Sequence, residues 1–173
     1  DAETESALME EAREIAKRAN ATVIDLRNRY PTSLDLTPVP GFLTFEKELP
    51  NEVDLVYKSL PKKAREAVNQ ARKRHHLEAA FEEDLDTFYE LLAASYHSLG
   101  TPVFPKRMFA AIREQFPEET TMLVVRHEST PVSAVLSLVF RDTIHPLYSG
   151  EAPGVRNLKS NNYKYFRLME LAV

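Results

Sequence analysis

The chain has 173 residues, a net charge of −4, and an ordinary globular mixture of 43% hydrophobic and 28% charged residues. That length points to one domain or one and a fraction, and the mixture excludes wholesale disorder. With no cysteine there is no disulfide, thiolate metal site or cysteine nucleophile. Residues 4–19 then read as an amphipathic helix with Thr4 as N-cap and Leu8, Ala12, Ile15 and Ala19 on one face. Residues 22–28 read as a strand, since Val23 and Ile24 are β-branched and Ile24 and Leu26 alternate with charge. A Pro-punctuated stretch follows, and Phe42 to Leu49 suggests a second strand stopped by Pro50.

Residues 53–75 are predicted helical with a break at Leu60-Pro61, because Pro suits the first turn of a new helix. Leu77 to Phe81 is a short strand. Leu85, Phe88, Leu92 and Tyr96 give a helix over 83–99, stopped by Gly100, with Asp84 and Asp86 at its start. Pro105 opens a helix that runs to Phe116. Thr121 to Arg126 and Pro131 to Phe140 are strands, the latter with Val132, Ala134, Leu136, Leu138 and Phe140 on one face. Glu128-Ser129-Thr130-Pro131 is a tight turn that makes them a hairpin. Arg141-Asp142 turns the chain into a third strand, Thr143 to Ser149. A loop from Gly150 to Asn161 leads to a last helix from Asn162.

No apolar run approaches the roughly 18 residues of a membrane-spanning helix. The opening Asp1-Ala2-Glu3 has no signal-peptide pattern. The absence of an initial Met and an ending in helical pattern set the expectation of a piece of a longer protein.

Four segments carry a resemblance: Leu60-Pro61-Lys62-Lys63-Ala64-Arg65, Asp84-Leu85-Asp86-x-Phe88-Tyr89, His97 to Pro105, and Asn162-Tyr163-Lys164-Tyr165. Together the chain resembles the FemAB-like branch of the GNAT acyltransferase superfamily. It is most similar to bacterial FemAB-like proteins beside exosortase and PEP-CTERM exopolysaccharide systems. The likeness covers residues 53–173 well and residues 1–52 by order of elements. It implies an α/β, GNAT-like fold, with a mixed, mostly antiparallel sheet flanked by helices. It also implies a fragment of a two-lobe protein. Residues 1–52 would be the C-terminal part of one lobe, and 53–173 a second lobe truncated before its last strands.

The activity implied is acyl or aminoacyl transfer to an amine in cell-envelope or exopolysaccharide assembly, in the cytoplasm. The donor would be acyl-CoA or aminoacyl-tRNA, which makes tRNA a partner in the second case. The acceptor would be an amine-bearing envelope precursor. The residues name no certain cofactor and no metal site. The alternative is a non-catalytic module of the same fold that binds a nucleotide-sugar, a carrier or a protein partner.

Candidate residues follow. Lys62, Arg65, Asn69, Arg72 and His76 form a helix stripe, with Lys63 adding charge. Such a stripe is either an anion or RNA-backbone contact or a solvated face. His97, at a helix C-terminus, is a general base or a cap. Thr101 and Pro102 belong to a stiff loop that either shapes a substrate wall or merely joins two helices. Tyr148 borders the transfer cleft in the resembled fold, where it would support an oxyanion or a leaving group; otherwise it packs at the sheet end. Arg156-Asn157-Leu158-Lys159-Ser160-Asn161 matches the family's phosphate loop, but Lys159 and Asn161 fill its small positions. That departure weakens the acyl-CoA reading and supports the binding-module alternative. Asn161, Asn162, Tyr163 and Lys164 open the last helix, where an Asn is an N-cap or the amides and lysines hold a phosphate.

Overall fold

In a computed structural model, which describes residues 2–28, 31–39 and 45–173, the chain forms two units, Asp1–Lys47 and Glu48–Val173. The first unit holds α1, Ala2–Arg18. Thr4 therefore lies inside the helix rather than capping it. The buried side chain of α1 is Met9, while Leu8 and Ile15 of the expected apolar stripe are exposed. The reason is local: Glu5 accepts hydrogen bonds from Thr32 Oγ1, Ser33 N and Ser33 Oγ. These bonds turn the Glu5–Met9 side of the helix towards residues 32–33 and hold the Glu5 carboxyl below its usual range. Residues 22–28 form no strand, because a β-branched run needs a paired neighbour and none of the described strands lies in this unit. Of the second expected strand, 42–44 lie outside the described residues, and 45–49 are irregular.

The second unit begins with α2, Val53–Ser59, and α3, Lys62–Asn69, separated at Leu60-Pro61 as expected. Pro61 is the N-cap of α3 rather than its first residue. Arg65 Nη1 bridges the break by donating to Lys58 O and Leu60 O, at 3.0 and 2.7 Å. A π-helical turn, Gln70–Arg74, follows α3. It widens the spiral, so Arg72 leaves the expected stripe and His76 falls beyond the helix with φ +48°.

Four strands then pair antiparallel in chain order: β1, Glu78–Phe81; β2, Thr120–His127; β3, Thr130–Phe140; β4, Thr143–Glu151. The sheet is antiparallel throughout among the described residues, not mixed. The β2–β3 turn is tighter than expected, since His127 pairs with Thr130 around Glu128-Ser129. Both turn residues have positive φ, +48° and +66°, which matches the right-handed twist of the hairpin. A bulge between Val125 and Arg126 leaves Val132 unpaired. It turns Val132 towards the face of Val125, Tyr163 and Phe166, away from Ala134 and Leu136, with which alternation alone had grouped it. A second bulge leaves Leu147 of β4 without a partner, next to Pro146, which pairs with Ser137.

Helices cover both faces. α4, Leu85–Ser98, and α5, Lys106–Gln115, lie on the face of Met122, Val124, Ala134 and Leu136. Asp84 caps α4 by accepting from the amides of Asp86 and Thr87. α6, Ser160–Leu171, covers Leu123, Val125 and Val135 together with α2 and α3. α4 approaches β4 so closely at Gly150 that a Cβ there would sit 2.4 Å from the Leu91 and Leu92 backbone. A Gly150→Ala variant should therefore lose about 1–3 kcal/mol, read as a lower denaturant midpoint. An unchanged midpoint would show that α4 can retreat from the sheet.

Candidate functional site

The start of α6 is built by an unusual turn. A 3-10 turn over Val155–Leu158 ends at Lys159, whose backbone is left-handed with φ +62°. Lys159 is the residue before the helix and makes no side-chain cap. Neither Asn161 nor Asn162 caps it; both sit exposed in the first turn. The first-turn amides of a helix have no intrahelical partner and carry the positive end of its dipole. Anchored below by Val68, Ala71, Tyr163 and Phe166, α3 lies beside this helix start. Between them is a cleft of about 530 Å³ lined by Lys63, Glu66, Gln70, Lys159 and Asn162, among others.

The surroundings are cationic. His75 is held below its ordinary pKa first by burial, then by Arg74, His127, Lys159 and His76. A chain with a net charge of −4 thus gathers positive charge at the end of the π turn and the start of α6. Two ammonium groups, two side-chain amides and a free helix start suit an oxyanion such as phosphate, with the single carboxylate of Glu66 opposing it.

The structure brings together Lys63, Lys159 and Asn162 of the residues singled out in the sequence. Lys62, Arg156 and Asn161 are exposed on the same elements. Three of the expected donor contacts are engaged or buried in the structure. Arg65 is spent on the backbone of the α2–α3 break. Tyr163 is buried in the core against α3. Lys164 is wholly buried and does not reach the cleft surface. His97, Thr101 and Pro102 are exposed at the end of α4 and the loop after it, on the other side of the sheet. Tyr148 is half-buried there, its ring 5.0 Å from Phe109 and 5.8 Å from Phe104.

Sequence reasoning missed a polar cluster beneath α6. Lys164 Nζ donates to Ser133 Oγ at 2.9 Å and to Ser149 Oγ at 2.6 Å. Ser133 Oγ in turn donates to Gly150 O at 3.3 Å. Ser160 Oγ donates to Glu151 Oε1 at 2.6 Å. Burial pushes Lys164 down to about 8, and Glu151 partly opposes the shift. The sequence held one signal. Ser160, Lys164 and Leu168 are spaced i, i+4, i+8, so a lysine lies within the buried arc of α6.

The two-faced antiparallel meander, with a helix start beside the cleft, is an α/β architecture. Residues 58–173 match the acetyltransferase (GNAT) domain family, and the chain belongs to that family. A solved structure, described as the crystal structure of FemX, shares the fold with TM-score 0.63 and 13% identity. The alignment covers 70% of this chain, which spans about half, 48%, of the FemX chain. No curated protein sequence matches. Among the described residues no helix is long and apolar enough to cross a membrane.

The lowered Lys164 pKa has a sign in stability. Between about 8 and 10.5 the unfolded chain holds a proton that the folded chain has released. Stability therefore rises with pH across that window, by roughly 3 kcal/mol at most. Denaturation of the wild type and Lys164→Met at about pH 7.5 and about pH 10 should show this rise in the wild type alone. Equal pH slopes would refute the buried charge.

Proposed function

We propose that the chain serves acyl or aminoacyl transfer to an amine, with the donor's phosphate seated in the cleft between α3 and α6. The observation that carries this reading is the convergence of Lys63, Gln70, Lys159 and Asn162 on the start of α6, within a domain of the acetyltransferase family. Helix amides and lysines hold a phosphate as fixed charges, leaving the acyl end of the donor free to meet an amine. The amine nitrogen bonds to the acyl carbon while the bond to the thiol or ribose oxygen breaks.

The FemAB-like resemblance and the FemX-like fold support a cell-envelope setting, including exopolysaccharide assembly beside PEP-CTERM systems. They also support residues 1–52 and 53–173 as parts of two successive lobes. A cytoplasmic site of action suits acyl-CoA or aminoacyl-tRNA as donor. The second reading, a binding module without turnover, is favoured by one feature. Lys159 occupies a left-handed position, the conformation that glycine adopts most readily.

Calorimetric titration of acetyl-CoA into the chain tests the seat. Wild-type binding should weaken by about tenfold or more in Lys63→Ala/Lys159→Ala, and its salt dependence should become shallower. Equal affinity in both proteins would remove the donor from this cleft. No binding by the wild type would sink the CoA donor and leave aminoacyl-tRNA for the same titration. Binding without acyl transfer to any amine would favour the module.

A further inference from the structure

We propose that a second anion seat lies beside the cleft, where Arg74, His75 and His127 meet Lys159, so that the ligand of this cleft carries two or more phosphate groups. It rests on the cleft as a phosphate seat and stands whether or not acyl transfer follows.

Three observations carry it. First, the strand register brings the histidines together. Glu78 pairs with Arg126. One step back along this antiparallel pair, Leu77 comes beside His127, and His75 and His76 immediately precede Leu77. Second, the π turn joins that place to the cleft. Its first residue, Gln70, lines the cleft with Lys159, and its last is Arg74. Ala71 is buried in one cluster with Leu77, Val125 and Tyr163, which holds the turn against both the sheet and α6. Arg74, His127 and Lys159 all act electrostatically on His75.

Third, the cations here are uncommitted. Elsewhere in this unit Lys106, Arg113, Arg126 and Arg167 form ion pairs with Asp86, Glu83, Glu82 and Glu170. Among the described residues Lys63, Arg74 and Lys159 form none. Like charges gathered without a counter-ion repel one another, and an anion placed between them removes that cost.

The two seats differ in chemistry. In the cleft a phosphate meets the ammonium groups of Lys63 and Lys159 and the start of α6. In the second seat it meets the Arg74 guanidinium, which can hold two oxygens at once, and imidazoles that donate from both nitrogens when protonated. Lys159 stands between the seats and serves both. The acids at this end are Glu66 in the cleft, Glu78 on β1 and Glu128 in the β2–β3 turn, all exposed. His75 and His127 are half-buried, so the fold rather than solvent sets where their rings lie. A nucleotide polyphosphate and a nucleic-acid backbone both present phosphates in succession.

The test titrates inorganic phosphate, tripolyphosphate and an oligouridylate of about eight nucleotides into the whole chain by calorimetry. Tripolyphosphate should bind about tenfold or more tighter than phosphate, and Arg74→Gln/His127→Gln should remove that advantage. Arg74→Gln alone, at an exposed position, should lose part of it and guards against a double variant that fails to fold. Arg107→Gln removes an exposed charge from α5, on the other face of the sheet, and should keep the advantage. Proton resonances of His75 should show its titration moving to higher pH when tripolyphosphate is bound, because an anion favours the imidazolium. Tighter binding of the oligouridylate than of tripolyphosphate, with a steeper salt dependence, would support the seat and identify a nucleic-acid backbone; the reverse order would support it and identify a nucleotide polyphosphate. Phosphate binding with no tripolyphosphate advantage, or an equal loss in Arg107→Gln, would overturn the second seat and leave the cleft reading standing. No binding of phosphate or tripolyphosphate by the wild type would overturn both seats.

Discussion

The second unit depends on a dipeptide at the end of β4. At Gly150 the missing side chain lets the α4 backbone lie directly on the sheet, and α4 brings Phe88 and Leu92 into the core on that face. At Glu151 the backbone is held by α4, because Ser95 Oγ accepts from the Glu151 amide and donates to its carbonyl, at 2.8 and 3.2 Å. The Glu151 side chain points to the other helical layer, where Ser160 opens α6. One residue pair thus sets the height of a helix on each face. The cleft residues Lys159 and Asn162 flank that anchored helix start, so their placement is inherited from the β4 end.

Charge is distributed against the average of the chain. Acidic residues outnumber basic ones, 26 to 22, yet the cleft gathers Lys63 and Lys159, with Arg74 and the histidines 75, 76 and 127 nearby. One cation is handled differently: Lys164 is taken out of water and given serine hydroxyls. The buried one gives up part of its proton affinity because desolvation penalises the charged form. Two lysines five residues apart on one helix start therefore have different chemistry.

The meander was readable because its strands alternate and its turns are short and polar, and the cap at Asp84 follows from residue type alone. The break at Leu60-Pro61 follows from proline. What was not readable depends on partners. Val23 to Leu26 has strand-like composition but no neighbouring edge. The position of Val132 depends on a bulge, which shifts which face a side chain meets without leaving a clear trace in the pattern. Lys63 was read in a helix stripe and Lys159 and Asn162 at the start of the last helix; that the three line one cleft depends on the packing of α3 against α6, which neither segment shows alone. Lys164 was misread because its charge was weighed before its helical spacing. Ser133, Ser149 and Glu151 were missed because a serine in a strand announces nothing until its neighbour is known.

The order of strands has a consequence for how the chain reaches this state. β2, β3 and β4 are joined by two-residue turns, so their pairing closes the smallest loops and costs the least chain entropy. β1 meets β2 only after α4 and α5 have been spanned, and α6 reaches β3 across the whole of β4. Short sequence separation favours the three-stranded meander as the first stable piece, with β1 and α6 adding later. The cleft and the buried lysine both need α6 in place. The half of the unit that holds the cleft is then the half assembled last, on a scaffold whose own pairing does not require it.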